Sequence, residues 1–226
     1  MDSKAHDILT SLPLFQGVGA LDVVRILDNV NCELQRLDAG QRWQQQGDVC
    51  QQLVFLVSGS MRVTTAYADG KYKFTELMES PKVIEPDILF GIQRQYTASY
   101  TAECSCQLLT IPKNDISRML FSIEVFRLNF LNLLSTCSVR HREASLPQPV
   151  SNTTTRFVQF IQAHTSSPTG WKQMNIRQED LCLYLGISRM VVSGLLHNLE
   201  NKGLIRLSRN TIEVPDMERL AQNSNT

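Results

Sequence analysis

Arg189, Ser193 and His197 recur every fourth residue, so on a helix they form one polar row facing outward. Their chemistry suits a polyanion with readable edges. An arginine offers a bidentate fork to guanine or phosphate, a serine hydroxyl donates or accepts, and an imidazole can donate to phosphate. Ser193 and His197 are also one turn apart, as a nucleophile and its base would be. No Gly-x-Ser-x-Gly elbow, no evident third acid and no Gly-x-x-x-x-Gly-Lys loop accompanies them, so the sequence gives no support to an enzyme. The opposite row, Val192, Leu195, Leu196 and Leu199, follows i, i+3, i+4, i+7 and points inward.

The elements that must hold this row are legible around it. Residues 176 to 200 read as two short helices about a glycine turn. Leu181 and Leu185 face the core, Gly186 supplies the tight turn, Ile187 plugs the corner, and Ser188 is placed to cap the second helix. Beyond Gly203, the runs Leu204 to Leu207 and Thr211 to Val214 flank Ser208-Arg209-Asn210, which predicts a hairpin or wing with an arginine at its tip. A winged helix-turn-helix explains residues 176 to 214, and double-stranded DNA is the partner it suits. An ordinary helical hairpin needs neither the polar outer row nor the basic wing. A protein partner in place of DNA is the alternative function, and salt dependence separates the two.

At 226 residues and 42% hydrophobic content, the chain is long enough for two packed domains. The formal net charge is zero, but it is unevenly placed. Residues 1 to 139 carry 12 basic against 15 acidic side chains, a net of −3. Residues 140 to 214 carry 9 against 5, a net of +4, so the basic excess lies with the winged segment. No apolar run reaches membrane-spanning length and the start lacks a signal-peptide pattern, so a cytoplasmic protein without a membrane partner is expected. The cysteines at 32, 50, 104, 106, 137 and 182 have no metal-ligand spacing; no metal and no cofactor is expected, and most should be reduced core residues.

Upstream, Asp7 to Leu14 and Ala20 to Leu27 read as short amphipathic helices, and strands begin near Cys32. Leu53 to Val57 reads as a buried strand. Met61 to Tyr67 and Tyr72 to Leu77 flank Asp69-Gly70, a strong hairpin signal, and Ala98 to Ile111 alternates loosely. Together they predict a rolled antiparallel β-domain. Ile123, Phe126, Phe130, Leu133 and Cys137 keep the 3-4 spacing of a dimer seam, while Leu120, Leu128, Leu131 and Leu134 give the same helix a second apolar face that could rest on the β-domain. A core helix in one large domain would show similar spacing. Pro147 and Pro149 before the Ser-Asn-Thr-Thr-Thr run predict a hinge, and Thr154 to Ala163 a further helix. The expected class is α+β: a sensor β-roll over 1–122, a dimerisation helix and hinge over 123–146, and a winged helix-turn-helix over 147–226.

This order of elements resembles the Crp/Fnr superfamily of bacterial transcription regulators over nearly the whole chain. Gln46-Gly47-Asp48, Leu53-Val-Phe-Leu-Val-Ser-Gly59-Ser60 and Asp69-Gly70 are similar to its β-roll signature. Gln178-Glu179-Asp180, Gly186, Ser188 and Arg189 are similar to its helix-turn-helix signature. The resemblance implies a homodimer that reads a two-fold symmetric site, contacts RNA polymerase, and is biased by a small-molecule effector in the β-roll.

The effector pocket departs from that pattern. Members that bind cyclic AMP carry a Gly-Glu pair for the ribose and then Arg-Ser-Ala or Arg-Thr-Ala, whose arginine neutralises the phosphate. Here those places read Glu85-Pro86 and Tyr96-Thr97-Ala98. A buried phosphate without its arginine loses a contact worth roughly 1.5–3 kcal/mol, and Glu85 facing it would repel it. Arg94, two residues away, would be aimed differently. Cyclic AMP is therefore not the expected effector; an unknown small molecule, or none, is. The clustered N-terminal cysteines of an iron–sulfur regulator are absent, and nothing singles out His6 or Cys50 for haem. On the recognition helix, Arg189 matches a position whose arginine pairs with guanine, Met190 replaces a frequent glutamate, and Gly194 a later arginine. Met190 and Val191 suit thymine methyl groups and Ser193 a base or phosphate, whereas Arg177, Gln178, His197 and Arg209 suit phosphates.

Overall fold

The computed structural model describes residues 9–145 and 152–224. The expected hinge prolines, His6 and the start of the first expected helix lie outside the described residues. The chain divides into two compact units, residues 1–62 with 78–141, and residues 63–77 with 142–226.

The first unit is antiparallel β capped by helices. One sheet runs β1 (Glu33–Leu37), β8 (Cys106–Pro112), β3 (Gln52–Ser58), β6 (Lys82–Ile84), and β2 (Arg42–Gln44) pairs separately with β7 (Ser99–Ala102). The alternation expected from Ala98 to Ile111 is two strands, broken at residues 103–105. Beside that break, a Cβ on Gly59 (φ +86) would lie 2.7 Å from Cys106 Cβ and from the Ser105 carbonyl oxygen, so only glycine fits. Residues 9–11 form a helical turn, and α1 (Ala20–Asn29), α2 (Lys113–Ser122) and α3 (Glu124–Ser145) complete the unit. Buried Asp115 accepts from the Asn31 N–H (2.9 Å) and pairs with Arg118, which together hold its carboxyl below the usual range.

Helix α3 corrects the dimer seam read from the sequence. Ile123, just before it, and Phe126 and Phe130 on it are buried within the chain itself, at 8%, 0% and 3% exposure. Phe126 lies 5.2 Å from Phe15, which lies 5.7 Å from Phe55 on β3, and Phe130 lies 6.0 Å from Phe90. Asn129 adds hydrogen bonds to the carbonyls of Leu14 (3.1 Å) and Gln16 (2.8 Å). Leu133 and Cys137 are half-buried at the border. Of the other stripe, Leu128 and Leu131 are 51% exposed while Leu134, and Leu120 back on α2, are half-buried; on the same outer face Val139 is 41% exposed. Both stripes keep helical spacing, so spacing alone could not say which one the protomer consumes; the larger phenylalanines bury more area and take the inner face.

The second unit has one core, built from α4 (Thr153–Ala163), α5 (Gln178–Leu185), α6 (Arg189–Asn201) and α7 (Met217–Ser224) on a sheet ordered β10 (Arg206–Ser208), β11 (Thr211–Val214), β9 (Lys172–Asn175), β5 (Tyr72–Glu79), β4 (Ser60–Tyr67). Asn152 caps α4 by accepting from the Thr155 N–H at 2.8 Å. The hairpin β4–β5 is the one expected across Asp69-Gly70, but its partner is β9, with Lys73 opposite Asn175 and Glu76 opposite Lys172. Tyr72 and Phe74 belong to the same buried cluster as Phe157, Leu181, Val192 and Leu196. Lys172, 1% exposed, donates to Glu76 Oε2 at 2.7 Å, and Glu76 also accepts from the N–H groups of Ser166 (2.7 Å) and Ser167 (3.1 Å). A buried ion pair with this much hydrogen bonding leaves neither charge uncompensated.

His164 packs among Tyr67, Tyr72, Phe74 and Phe160. Its Nδ1 lies 2.7 Å from the Phe160 carbonyl and must donate there, so Nε2 accepts from the Tyr72 hydroxyl at 3.3 Å. Burial pushes its pKa below the ordinary 6.5. The unfolded chain then takes up a proton that the folded form refuses, so this stabilisation is present above about pH 6.5 and lost as pH falls toward the folded-state value. His164→Phe, which removes the titration, should show a smaller fall in melting temperature between pH 7 and pH 5 than the unmodified chain; equal falls would place the pH sensitivity elsewhere.

Candidate nucleic-acid interface

Helix α5 ends where Gly186 adopts φ 64, ψ 35 and its N–H reaches back to the Cys182 and Leu183 carbonyls, a left-handed stop that glycine makes at no steric cost. Three residues later α6 begins. Val192, Leu195, Leu196 and Leu199 are buried, as the inward row requires. Arg189 and His197 are exposed and Ser193 half-buried on the other side, with Met190 at 85% and Val191 at 46% exposure. Six of the expected contact residues, Ser188, Arg189, Met190, Val191, Ser193 and His197, thus stand at or on one helix.

Ser188 occupies the position before α6 with φ −67, ψ 154, but its hydroxyl makes no capping bond, contrary to expectation. Its carbonyl accepts from the Val192 N–H instead, which leaves the exposed side chain available to a ligand. His197 Nδ1 donates to the Ser193 carbonyl at 2.9 Å, so the imidazole addresses the backbone and not the serine hydroxyl, and Nε2 is the ring atom left to face outward. Arg177, just before α5, is exposed and pairs with Asp180 at 3.0 Å; Gln178 opens the helix. The wing is the expected hairpin: Ser208 pairs with Thr211, Arg209 and Asn210 form its two-residue tip, and Asn210 takes φ 56, a conformation asparagine tolerates. Arg209 is exposed there. Glu213 fixes the base of the wing by accepting from Trp171 Nε1 (3.0 Å) and Arg206 (3.4 Å).

The residues expected to line an effector pocket, Glu85, Arg94, Tyr96 and Thr97, are all in the first unit. Tyr96 is 4% exposed, its ring edge-on to Trp43 at 5.6 Å, and burial beside Cys50 pushes its hydroxyl pKa up. Tyr96, which the resemblance sets at the place of the phosphate arginine, is a packed aromatic. Arg94 is exposed, and its carbonyl accepts from the Cys50 N–H at 2.7 Å. Glu85 accepts from the Thr97 N–H (2.8 Å) and the Tyr100 hydroxyl (2.6 Å); burial, only partly offset by those bonds, raises its pKa. Trp43 and Tyr100 were not singled out from sequence, although both lie on short strands close to residues that carry the family resemblance. Cys50 and Cys106 are buried and Cys104 is exposed; among the described residues no group of three or more His, Cys, Asp or Glu is placed to hold a metal. Among them, too, no helix is long and apolar enough to cross a membrane.

Comparison with known proteins agrees with this geometry. Residues 34–122 match the cyclic nucleotide-binding domain and residues 155–223 the Crp-like helix-turn-helix domain. None of the curated proteins compared with the chain matches it. Among solved structures, a putative transcriptional regulator of the Crp/Fnr family from Eubacterium rectale is 21% identical over 96% of this chain and 100% of its own, with TM-score 0.54. The sensor domain of the transcriptional regulator DNR from Pseudomonas aeruginosa is 21% identical over 63% of this chain and 93% of its own, with TM-score 0.52. A β-domain matched to cyclic nucleotide binding, followed by a Crp-like helix-turn-helix with an exposed arginine on its second helix, makes this chain a member of the Crp/Fnr family of DNA-binding transcription regulators, which are not enzymes.

Proposed function

We propose that the chain works as a homodimer in the cytoplasm, reads a two-fold symmetric duplex through paired α6 helices, and regulates transcription through RNA polymerase. Residues 1–122 form the sensor except for the hairpin 63–77, which belongs to the DNA-reading part with 147–226; 123–146 form the dimerisation helix and hinge. The observation that carries the reading is the outward row Arg189, Ser193, His197 opposite a buried apolar row on the same helix. Arg189 reads a guanine, a contact that discriminates bases by about 1–3 kcal/mol. Met190 and Val191 meet thymine methyl groups, and Ser188 and Ser193 bond base edges or phosphate. Arg177, Gln178, His197 and Arg209 set position on phosphates. The exposed stripe of α3, with Leu128, Leu131 and Val139, is the dimer face in place of the buried seam.

The β-domain does not bind cyclic AMP, because Tyr96 stands where the phosphate needs a cation and the Glu85 carboxylate bonds the neighbouring Thr97 N–H. Any effector has other chemistry. Arg189→Ala should flatten preference at one base pair per half-site in a library of duplexes, whereas Arg209→Ala should weaken all sequences alike and reduce the slope of log affinity against log salt by about one. Equal, sequence-independent losses in both variants would refute this division of roles. The exposed Met190, and Leu183 at 79% exposure on α5, favour a protein partner as the second reading. A binding reaction insensitive to salt would support it over DNA.

A further inference from the structure

Two fixed donors in the first unit converge on one carboxylate. Tyr100 donates its hydroxyl to Glu85 Oε1 at 2.6 Å, and the Thr97 N–H donates to Oε2 at 2.8 Å. Tyr100 is 2% exposed, with its ring edge-on to Trp43 at 5.9 Å and to Tyr96 at 6.2 Å, so packing aims its hydroxyl independently of the bond it makes. The Thr97 donor is backbone. Glu85 reaches both from a costly conformation. It has φ +36, in the left-handed region that side chains oppose, and Pro86 follows it, which disfavours helical conformations further. A glycine would take that turn freely, so the carboxylate is what a glutamate adds there.

The location gives this pair of donors a meaning beyond local packing. Residues 34–122 match a domain that binds cyclic nucleotides, which are anions through their phosphate. Thr97 lies in the Tyr96-Thr97-Ala98 segment that corresponds to phosphate recognition in cyclic-AMP-binding members. A carboxylate offers the same chemistry as one edge of a phosphate, two anionic oxygens accepting charge-assisted hydrogen bonds.

We infer that Glu85 is a built-in oxyanion of the β-domain, occupying donors that an anionic effector would otherwise claim and keeping that site ordered with no small anion bound. The inference rests on the reading that cyclic AMP is not the effector, and gives it a cause: the site is taken as well as uncationic. A vacated site should accept a free anion. The side chain of glutamate beyond Cβ has the shape of acetate, so acetate is the natural probe of Glu85→Ala.

The test uses the full chain in a Trp171→Phe background, which leaves Trp43 as the one tryptophan of two. Glu85→Ala should melt several degrees below its parent, and acetate should recover at least half of that difference saturably, with Trp43 emission moving along the same curve. Chloride at matched ionic strength should not, and neither anion should shift the parent. A Glu85→Ala chain that melts like its parent, or responds to acetate no more than to chloride, overturns the inference. If Glu85→Ala does not fold, Tyr100→Phe removes one donor and leaves the carboxylate; unchanged melting and unchanged Trp43 emission would overturn it equally. Calorimetry of the parent with cyclic AMP separates the two claims. Saturable heat there would defeat the underlying reading whatever the variants do, and without such heat the acetate result decides on Glu85 alone.

Discussion

Lys172→Met should melt roughly 6–20 °C below the unmodified protein. The substitution keeps most of the buried volume but leaves the Glu76 carboxylate among apolar side chains with only the Ser166 and Ser167 N–H groups. Removing one member of a buried pair costs about 3–5 kcal/mol because the other charge is left uncompensated. At roughly 2–4 °C per kcal/mol for a chain of this size, that sets the expected shift. Glu76→Gln combined with Lys172→Met should melt higher than Lys172→Met alone, since the amide keeps a carbonyl oxygen for the serine N–H groups and carries no charge. If the single variant melted within a degree or two of the parent, the pair would not be the buried lock described. The same packing predicts that the winged helix is not self-sufficient. Without the hairpin its core lacks Tyr72 and Phe74, β9 becomes an open edge, and Lys172 has no partner.

Leu128→Asp with Leu131→Asp should convert a dimer into folded monomers. Both leucines are half exposed on the outer stripe of α3, so charge there is harmless to the protomer and costly to an apolar contact between copies. Sedimentation reads the change directly. Loss of bivalent binding should lower affinity for a symmetric site by about 10²–10⁴-fold while melting temperature stays near the parent value. Phe130→Asp should do the reverse of what a seam residue would. Phe130 is 3% exposed within one protomer, so an aspartate there buries an unpaired carboxylate and destabilises the fold itself. A double leucine variant that remains dimeric would move the interface off this stripe.

The contrast between these leucines and phenylalanines shows where sequence reading is strong and where it ends. Elements defined by local chemistry were legible: the glycine stop at Gly186, the wing with Arg209 at its tip (though Ser208, read as part of the tip, is on the strand), the hairpin at Asp69-Gly70, and the separation of Arg189 from Val192 on α6. Each depends on contacts within a few residues. The face of α3 that turns inward depends instead on Phe15, Phe55 and Phe90, at distant points in the chain. The partner of the β4–β5 hairpin is likewise a long-range choice, with Glu76 and Lys172 separated by 96 positions. Lys172 did leave a trace: it sits at an inward slot of the alternation that continues through Met174 and Ile176, where a lysine demands a buried acid, but nothing local named Glu76. The pocket was half legible. The missing arginine was visible at Tyr96, whereas the bond from Tyr100 to Glu85 required the strands in place.

The outward row of α6 is proposed to read base sequence in duplex DNA. Selection of random duplexes by the purified chain at fixed moderate salt, with and without cyclic AMP, tests it most directly. The proposed dimer predicts enrichment of a two-fold symmetric sequence, the same in both arms, with a guanine in each half-site whose enrichment disappears in Arg189→Ala. Absence of any enriched sequence, or an enriched sequence indifferent to Arg189, would contradict it.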